Sequence, residues 1–243
     1  MKNHFYIAYS GNKRNEVKEI YNNLNFDNIT TIIEPFCGSC AISYYISTQK
    51  QGLKYILNDN NKYLKEMYEL LLDDNKIKKF EEDYKKLLID INKEKYNELV
   101  KKEELLYWFL GNKFFCLRPN LYPTKRKIKK EIHLKEYPIY NFFKNNVIEF
   151  TNIDGVECYK KYKDGEHNLI LLDPPYISSC NDWYISPSLL IYEYLHNNNI
   201  NDCKAKIYLI LENIFIIKLL FKSNKILLEY NKKYEATKKK TTH

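Results

Sequence analysis

Short apolar runs alternate with helical stretches along most of the chain, the pattern of an α/β protein built on a parallel-type sheet. The runs at 31–34, 54–58, 169–172, 207–211 and 226–229 are short and β-branched or Leu-rich, as strands buried on both faces are. Helical spacing marks 13–24, 41–49 and 188–196. The middle reads differently. From Asn60 the sequence is charged, with Leu64, Met67, Tyr68 and Leu71, then Phe80, Tyr84, Leu87, Leu88 and Ile91, at helical intervals. A basic loop with Pro119 and Pro123 follows, and then an aromatic segment at 137–143. Residues 60–146 are therefore expected to form a mostly helical insertion between two parts of one α/β core, 1–59 and 147–243. The rings of Tyr137, Tyr140, Phe142 and Phe143 are expected to pack a helix against that core rather than to stack on bases.

A chain of 243 residues can bury a core of this kind. The longest apolar stretch, 207–221, is broken by Glu212, Asn213 and Lys218, well short of the roughly eighteen residues that span a bilayer. Met1-Lys2-Asn3-His4 does not open a signal peptide. No membrane association is expected, and the compartment expected is the cytoplasm or nucleus. The six cysteines (Cys37, Cys40, Cys116, Cys158, Cys180, Cys203) are too scattered for a disulfide framework and read as reduced thiols. Cys37 and Cys40 form a C-x-x-C without a second pair, and the five histidines are dispersed, so no metal site is expected. The bias toward Asn, Lys, Ile and Tyr points to the AT-rich genome of a host or virus, which deprives single Asn and Lys residues of meaning. The net charge of +8 is unevenly spread: residues 101–130 hold nine basic side chains against two acids. Such a patch suits a polyanion, although a solvated basic loop would look the same.

The strongest chemical signal is Asp173-Pro174-Pro175-Tyr176, directly after the apolar run ending at Leu172. A buried strand delivers this tetrapeptide to the carboxyl edge of the sheet, where open α/β folds bind ligands. The exocyclic amine of a nucleobase is a poor nucleophile because its lone pair is delocalised into the ring. The Asp173 carboxylate and the Pro174 carbonyl could hold both N–H groups and favour the pyramidal form. The prolines fix the carbonyl's direction and carry no competing N–H. Tyr176 offers a stacking platform. A strand-end turn is the bland alternative. A second signal, Glu34-Pro35-Phe36-Cys37-Gly38-Ser39-Cys40, joins a strand to a helix through a small-residue turn, the layout of a nucleotide-type loop. A third, Leu57-Asn58-Asp59, ends a strand in an acid about twenty residues later, placed to accept from ribose hydroxyls.

Tyr9-Ser10-Gly11-Asn12-Lys13, Glu34-Pro35-Phe36-Cys37-Gly38, Leu57-Asn58-Asp59 and Asp173-Pro174-Pro175-Tyr176 resemble, in that order, the motifs of the Dam-like, D12-class adenine-N6 DNA methyltransferases. The resemblance runs over most of the chain. It implies a Rossmann-like class I methyltransferase sheet that uses S-adenosyl-L-methionine (AdoMet), with an inserted, mostly helical target-recognition region. It also implies double-stranded DNA as partner and methylation of a flipped adenine. By the same resemblance Tyr9 and Lys13 line the AdoMet pocket, Glu34, Phe36 and Gly38 form the cofactor loop, Asp59 holds the ribose and Asp154 sits near the cofactor's adenine. Asp173 also borders the cofactor, and Asp173, Pro174, Pro175 and Tyr176 act on the base. The segment containing Asn112, Lys113, Arg118 and Asn120 is similar to the family's DNA-facing stretch, with Arg118 the first candidate for a DNA contact. Lys125, Arg126 and Lys127 extend the basic surface.

Three departures stand out. Cys40 replaces the loop's second glycine, Asn12 replaces the middle glycine of a Gly-Gly-Lys, and the chain ends at His243 where the family commonly has a further strand. Cys40 and the abrupt terminus favour a second reading, a methyltransferase fold kept for binding or assembly without catalysis. A variant acting on RNA or on another amino group is a third. The intact Asp59 and Asp173-Pro174-Pro175-Tyr176 favour the enzyme. The sequence carries no signal for oligomeric state or for the DNA site recognised.

Overall fold

A computed structural model describes residues 5–6, 11–89, 91–99, 101–102, 104–115, 131–177, 190–198, 202–229, 231–233 and 240–242. Its strands are β1 (Thr31–Glu34), β2 (Lys54–Asn58), β3 (Val147–Thr151), β4 (Asn168–Leu172), β5 (Lys206–Leu209), β6 (Asn231–Lys233) and β7 (Lys240–Thr242). Among the described residues the first five form one all-parallel sheet in the order β3-β2-β1-β4-β5, and β6 pairs antiparallel with β7 apart from it. The helices between them are α1 (Val17–Asn22), α2 (Ala41–Gln49), α3 (Lys62–Leu70), α4 (Asp74–Leu87), α5 (Lys93–Leu99), α6 (Leu105–Phe115), α7 (Pro138–Asn145), α8 (Gly155–Tyr162), α9 (Leu190–Asn197) and α10 (Phe215–Leu220).

Side chains alternate across a strand, so a central strand must satisfy two cores at once. Ile32, Tyr55, Leu57, Leu169 and Leu171 enter one core, whereas Ile33, Ile56, Ile170 and Leu172 enter the other. The first core is covered by α1, α2, α3 and α7, and the second by α8, α9 and α10. This is a three-layer, Rossmann-like α/β arrangement, as expected. The segment between β2 and β3 holds α3 to α7. Leu64, Met67, Tyr68, Phe80, Tyr84, Ile139, Phe142 and Phe143 from it join the first core rather than building one of their own. The aromatic segment does pack inward: Phe142 meets Tyr55 of β2 edge-on at 5.1 Å.

The differences from the sequence pattern have local causes. The segment 226–229 is not a strand; it runs along a groove beside β5 with Ile226 and Leu227 exposed. Apolar composition gives extended propensity, but a strand also needs a ladder partner. The helix expected from residue 13 starts at Val17, because the Asn12 side chain accepts from the Arg14 N–H at 2.7 Å and fixes a turn. Strand β3 lies at the sheet edge with Val147 exposed, so its apolar run is too weak to stand out. No helix among the described residues is long and apolar enough to cross a membrane.

Candidate active site

In the order β3-β2-β1-β4-β5 the chain works outward from β1 in one direction and then from β4 in the other. The switch falls between β1 and β4, and the carboxyl edge at such a switch is where open α/β folds bind ligands. The segments beyond these two strand ends are the two strongest sequence signals, 34–40 after β1 and 173–176 after β4. Asp59 follows β2 and Asp154 follows β3, so one sheet edge gathers all four acids, Glu34, Asp59, Asp154 and Asp173.

The loop after β1 is tied down from three sides. Gly38 has φ +47° and Cys40 φ +54°, left-handed values that let the turn close with Cys40 N–H donating to the Cys37 carbonyl at 2.7 Å. Gly38 N–H donates to Asp59 Oδ2 at 2.9 Å, and the Tyr68 hydroxyl of α3 donates to the Gly38 carbonyl. Cys37 N–H reaches the Asn58 carbonyl at 2.8 Å. Glu34, fully buried, accepts from the Ser43 N–H at 2.7 Å and so fastens the end of β1 to α2. Burial pushes the Glu34 carboxyl up to about 7, opposed by the hydrogen bond from Ser43. Burial likewise pushes Asp59 up to about 6, against the pull of the Asn61 and Gly38 N–H groups. The Cys40 side chain is wholly buried beside Cys37 and Tyr68.

Asn58, at the end of β2, carries no functional signal in the sequence. Its Nδ2 donates to the carbonyls of Pro35 (2.9 Å) and Ile153 (3.0 Å), while its Oδ1 accepts from Thr151 Oγ1 (2.8 Å) and Ile153 N–H (3.0 Å). All four hydrogen-bonding positions of the amide are used, and it links the ends of β1, β2 and β3. Only those contacts could have revealed it. Asp154 caps α8, its Oδ1 accepting from Val156 and Glu157 N–H, and the Phe36 ring lies against Gly155 beside it.

At the end of β4, Asp173 Oδ2 is paired with Lys13, whose ammonium also donates to the Gly11 carbonyl at 3.0 Å. Lys13 lies 5.0 Å from the centre of the Tyr176 ring. Asp173 Oδ1 is buried and has no protein partner among the described residues. Tyr192 of α9 donates to the Pro175 carbonyl at 3.1 Å, anchoring the second proline. Asn112, on α6, turns its amide back to the Trp108 carbonyl of its own helix at 2.8 Å. Lys113 ends up in the last turn of the same helix, but its side chain, with Tyr9, Arg118, Asn120, Lys125, Arg126 and Lys127, lies outside the described residues.

A parallel sheet with this switch point, a glycine loop after its first strand, an acid after its second and Asp-Pro-Pro-Tyr after its fourth define an AdoMet-dependent methyltransferase. More narrowly, the chain belongs to the D12 class N6 adenine-specific DNA methyltransferase family, whose model matches residues 9–233. No curated protein matches it. The methyl donor is AdoMet and the substrate is adenine in DNA. The residues present fit that donor. AdoMet offers ribose hydroxyls, an ammonium group, a carboxylate and a cationic sulfonium, and this sheet edge offers the carboxylates of Asp59 and Asp173 and the ammonium of Lys13.

Proposed function

We propose that Asp173 Oδ1 and the Pro174 carbonyl receive the two N–H groups of an adenine rotated out of double-stranded DNA, with Tyr176 stacking on the base. The observation that carries this reading is the unequal state of the Asp173 carboxylate: Oδ2 is engaged by Lys13, while Oδ1 is buried without a partner among the described residues. A buried acceptor of that kind is costly unless a ligand completes it. When bound, AdoMet supplies an electrophilic methyl group, whose S–C bond electrons stay on sulfur as the new N–C bond forms. Asp173 and Pro174 orient the amine so that its lone pair faces this methyl, and Asp173 is the first acceptor for the proton the nitrogen then sheds. Pro175, held by Tyr192, keeps the turn rigid.

On the donor side, Asp59 takes the ribose hydroxyls, Gly38 permits close approach of the loop, and Phe36 and Asp154 border the adenine end. Glu34 acts through Ser43 on the loop's anchorage. Tyr9 is assigned to the donor by the motif it belongs to. Residues 1–59 and 147–243 form the catalytic part in this reading, and 60–146 recognises the target. Within it Asn112, Lys113, Arg118, Asn120, Lys125, Arg126 and Lys127 contact DNA, mostly through phosphates.

The test is direct. The protein is incubated with AdoMet and unmethylated double-stranded DNA, with single-stranded DNA and RNA in parallel, and N6-methyladenine is quantified by mass spectrometry after digestion. Product on the duplex that disappears with Asp173→Ala is the expected result. Product that persists in Asp173→Ala would remove Asp173 from the mechanism, and product only on RNA would replace the substrate.

A further inference from the structure

We propose that Tyr192 of α9 is a positioning residue for methyl transfer: its hydroxyl, bound to the Pro175 carbonyl, sets the direction in which Tyr176 leaves the Asp-Pro-Pro turn. The proposal rests on the reading of Asp173-Pro174-Pro175-Tyr176 as the segment that receives the adenine.

The torsions of that segment carry the argument. The pyrrolidine rings fix φ at Pro174 and Pro175. Each proline also confines the residue before it, Asp173 and then Pro174, to extended ψ values. The backbone torsion left soft between Asp173 and Tyr176 is ψ of Pro175. That torsion turns the Pro175 carbonyl and, with it, the rigid peptide plane from which Tyr176 departs. The Tyr192 hydroxyl donates to this carbonyl at 3.1 Å, in a buried bond. A single side chain thus holds the one degree of freedom that the two prolines leave open.

Tyr192 is itself well anchored. It is buried, and its helix sinks Ile191 and Leu195 into the second core. The ring of Tyr194, on the same helix, meets Tyr159 of α8 edge-on at 5.9 Å. The entrance to the turn is fixed separately, since Ile210 N–H, just beyond β5, donates to the Leu172 carbonyl at 2.8 Å. Sheet and helix therefore pin the two ends of one short segment. The Pro174 carbonyl and the Tyr176 ring must meet the same base, so their mutual placement governs the rate and not the affinity for the donor.

Tyr192→Phe keeps the ring and its packing and removes the hydroxyl alone. The rate is read by single turnover on unmethylated plasmid DNA with AdoMet saturating, and AdoMet affinity by isothermal titration calorimetry. The rate is expected to fall about tenfold, the cost of a misplaced reacting group. AdoMet affinity should change by less than about twofold, and Tm should fall by only about two to four degrees. Tyr194→Phe, which removes a hydroxyl from the same helix, should leave the rate unchanged. In a Tyr176→Ala background, adding Tyr192→Phe should cause little further loss, because residues acting as a unit are not additive. A rate within about twofold of the parent overturns the proposal, as does an equal slowing in Tyr194→Phe, which would mean a general loosening of α9. A full further loss in the Tyr176→Ala background, or a loss confined to AdoMet affinity, overturns it too. An unchanged rate in Asp173→Asn, measured alongside, would instead remove the underlying reading of the Asp-Pro-Pro-Tyr segment, so the two failures are distinct.

Discussion

The Phe36 ring packs directly on Gly155: a Cβ built on that glycine would stand 2.3 Å from ring atoms Cε1 and Cζ. The contact joins the loop after β1 to the first turn of α8, and no side chain larger than hydrogen fits between them. Gly155→Ala should therefore push the ring aside. Overpacking of this kind costs about 1–3 kcal/mol, and a displaced Phe36 should lower AdoMet affinity by about tenfold if the ring borders the donor. Calorimetric titration and a thermal melt check both parts. Destabilisation with wild-type AdoMet affinity would place Phe36 in the scaffold and not in the pocket.

Asp59 predicts a pH dependence of donor binding. Burial raises its carboxyl to about 6, above the ordinary 3.8. The sign for folding follows from proton counting. Between those values the folded chain holds more protons than the unfolded one, so this residue's contribution to stability falls as pH rises through that window. For binding the sign is opposite, because the ionised carboxylate is the better acceptor for ribose hydroxyls. AdoMet affinity should fall as pH drops through about 6, and Asp59→Asn should flatten that limb. Glu34, raised to about 7 by burial, titrates nearby, so a limb that survives in Asp59→Asn belongs to Glu34. Affinity that is flat in the unsubstituted protein from about pH 5 to 7 would argue against the ribose role.

Cys40 separates what a residue's type announces from where its side chain goes. In the sequence it stands for a missing glycine and reads as extra atoms near the donor. In the structure it keeps the left-handed backbone, φ +54°, that explains why glycine would suit the position, yet its thiol is wholly buried beside Cys37 and Tyr68. Cys40→Gly should relieve about 1 kcal/mol of backbone strain and lose a similar amount of buried apolar contact. Stability is thus expected to change little, and AdoMet affinity by less than about twofold. A large gain in affinity would show that the thiol intrudes on the donor after all.

The legible parts of this protein are those in which local sequence and tertiary role coincide. Strands β1 and β2 begin and end where their apolar runs do, because each is buried on both faces and bounded by turn residues. Asp173-Pro174-Pro175-Tyr176 was legible because a strand and its terminal chemistry adjoin in the chain. Strand β3 does not stand out in the sequence, since an edge strand need bury only part of itself, and Val147 is exposed. Segment 226–229 shows the converse: it has strand composition but no ladder partner among the described residues. The pairing of Lys13 with Asp173 and the contacts of Tyr68 and Tyr192 join residues far apart in sequence, and no periodicity encodes them.

Asn58 gives the sharpest test of how the pocket is held. Its amide satisfies the Pro35 carbonyl behind the cofactor loop and three groups of the turn after β3, two of them on Ile153 and one on Thr151. The amide is completely buried, and its bond to the Pro35 carbonyl is buried with it. Asn58→Leu keeps the approximate volume, removes four hydrogen bonds and leaves the Pro35 carbonyl buried without its donor, at a cost of roughly 3–5 kcal/mol. For a chain this long, that is a fall in Tm of roughly ten degrees. Asn58→Asp should be worse. It replaces the Nδ2 donor by an acceptor facing the Pro35 and Ile153 carbonyls, and it buries a charge that no neighbour offsets. Because Asn58 lies between Asp59 and the loop carrying Phe36 and Gly38, the surviving folded fraction should also bind AdoMet more weakly. A thermal melt with and without AdoMet reads both effects. If Asn58→Leu melted within about a degree of the parent and showed the same AdoMet-dependent shift, the three strand ends would be held by their ladders alone.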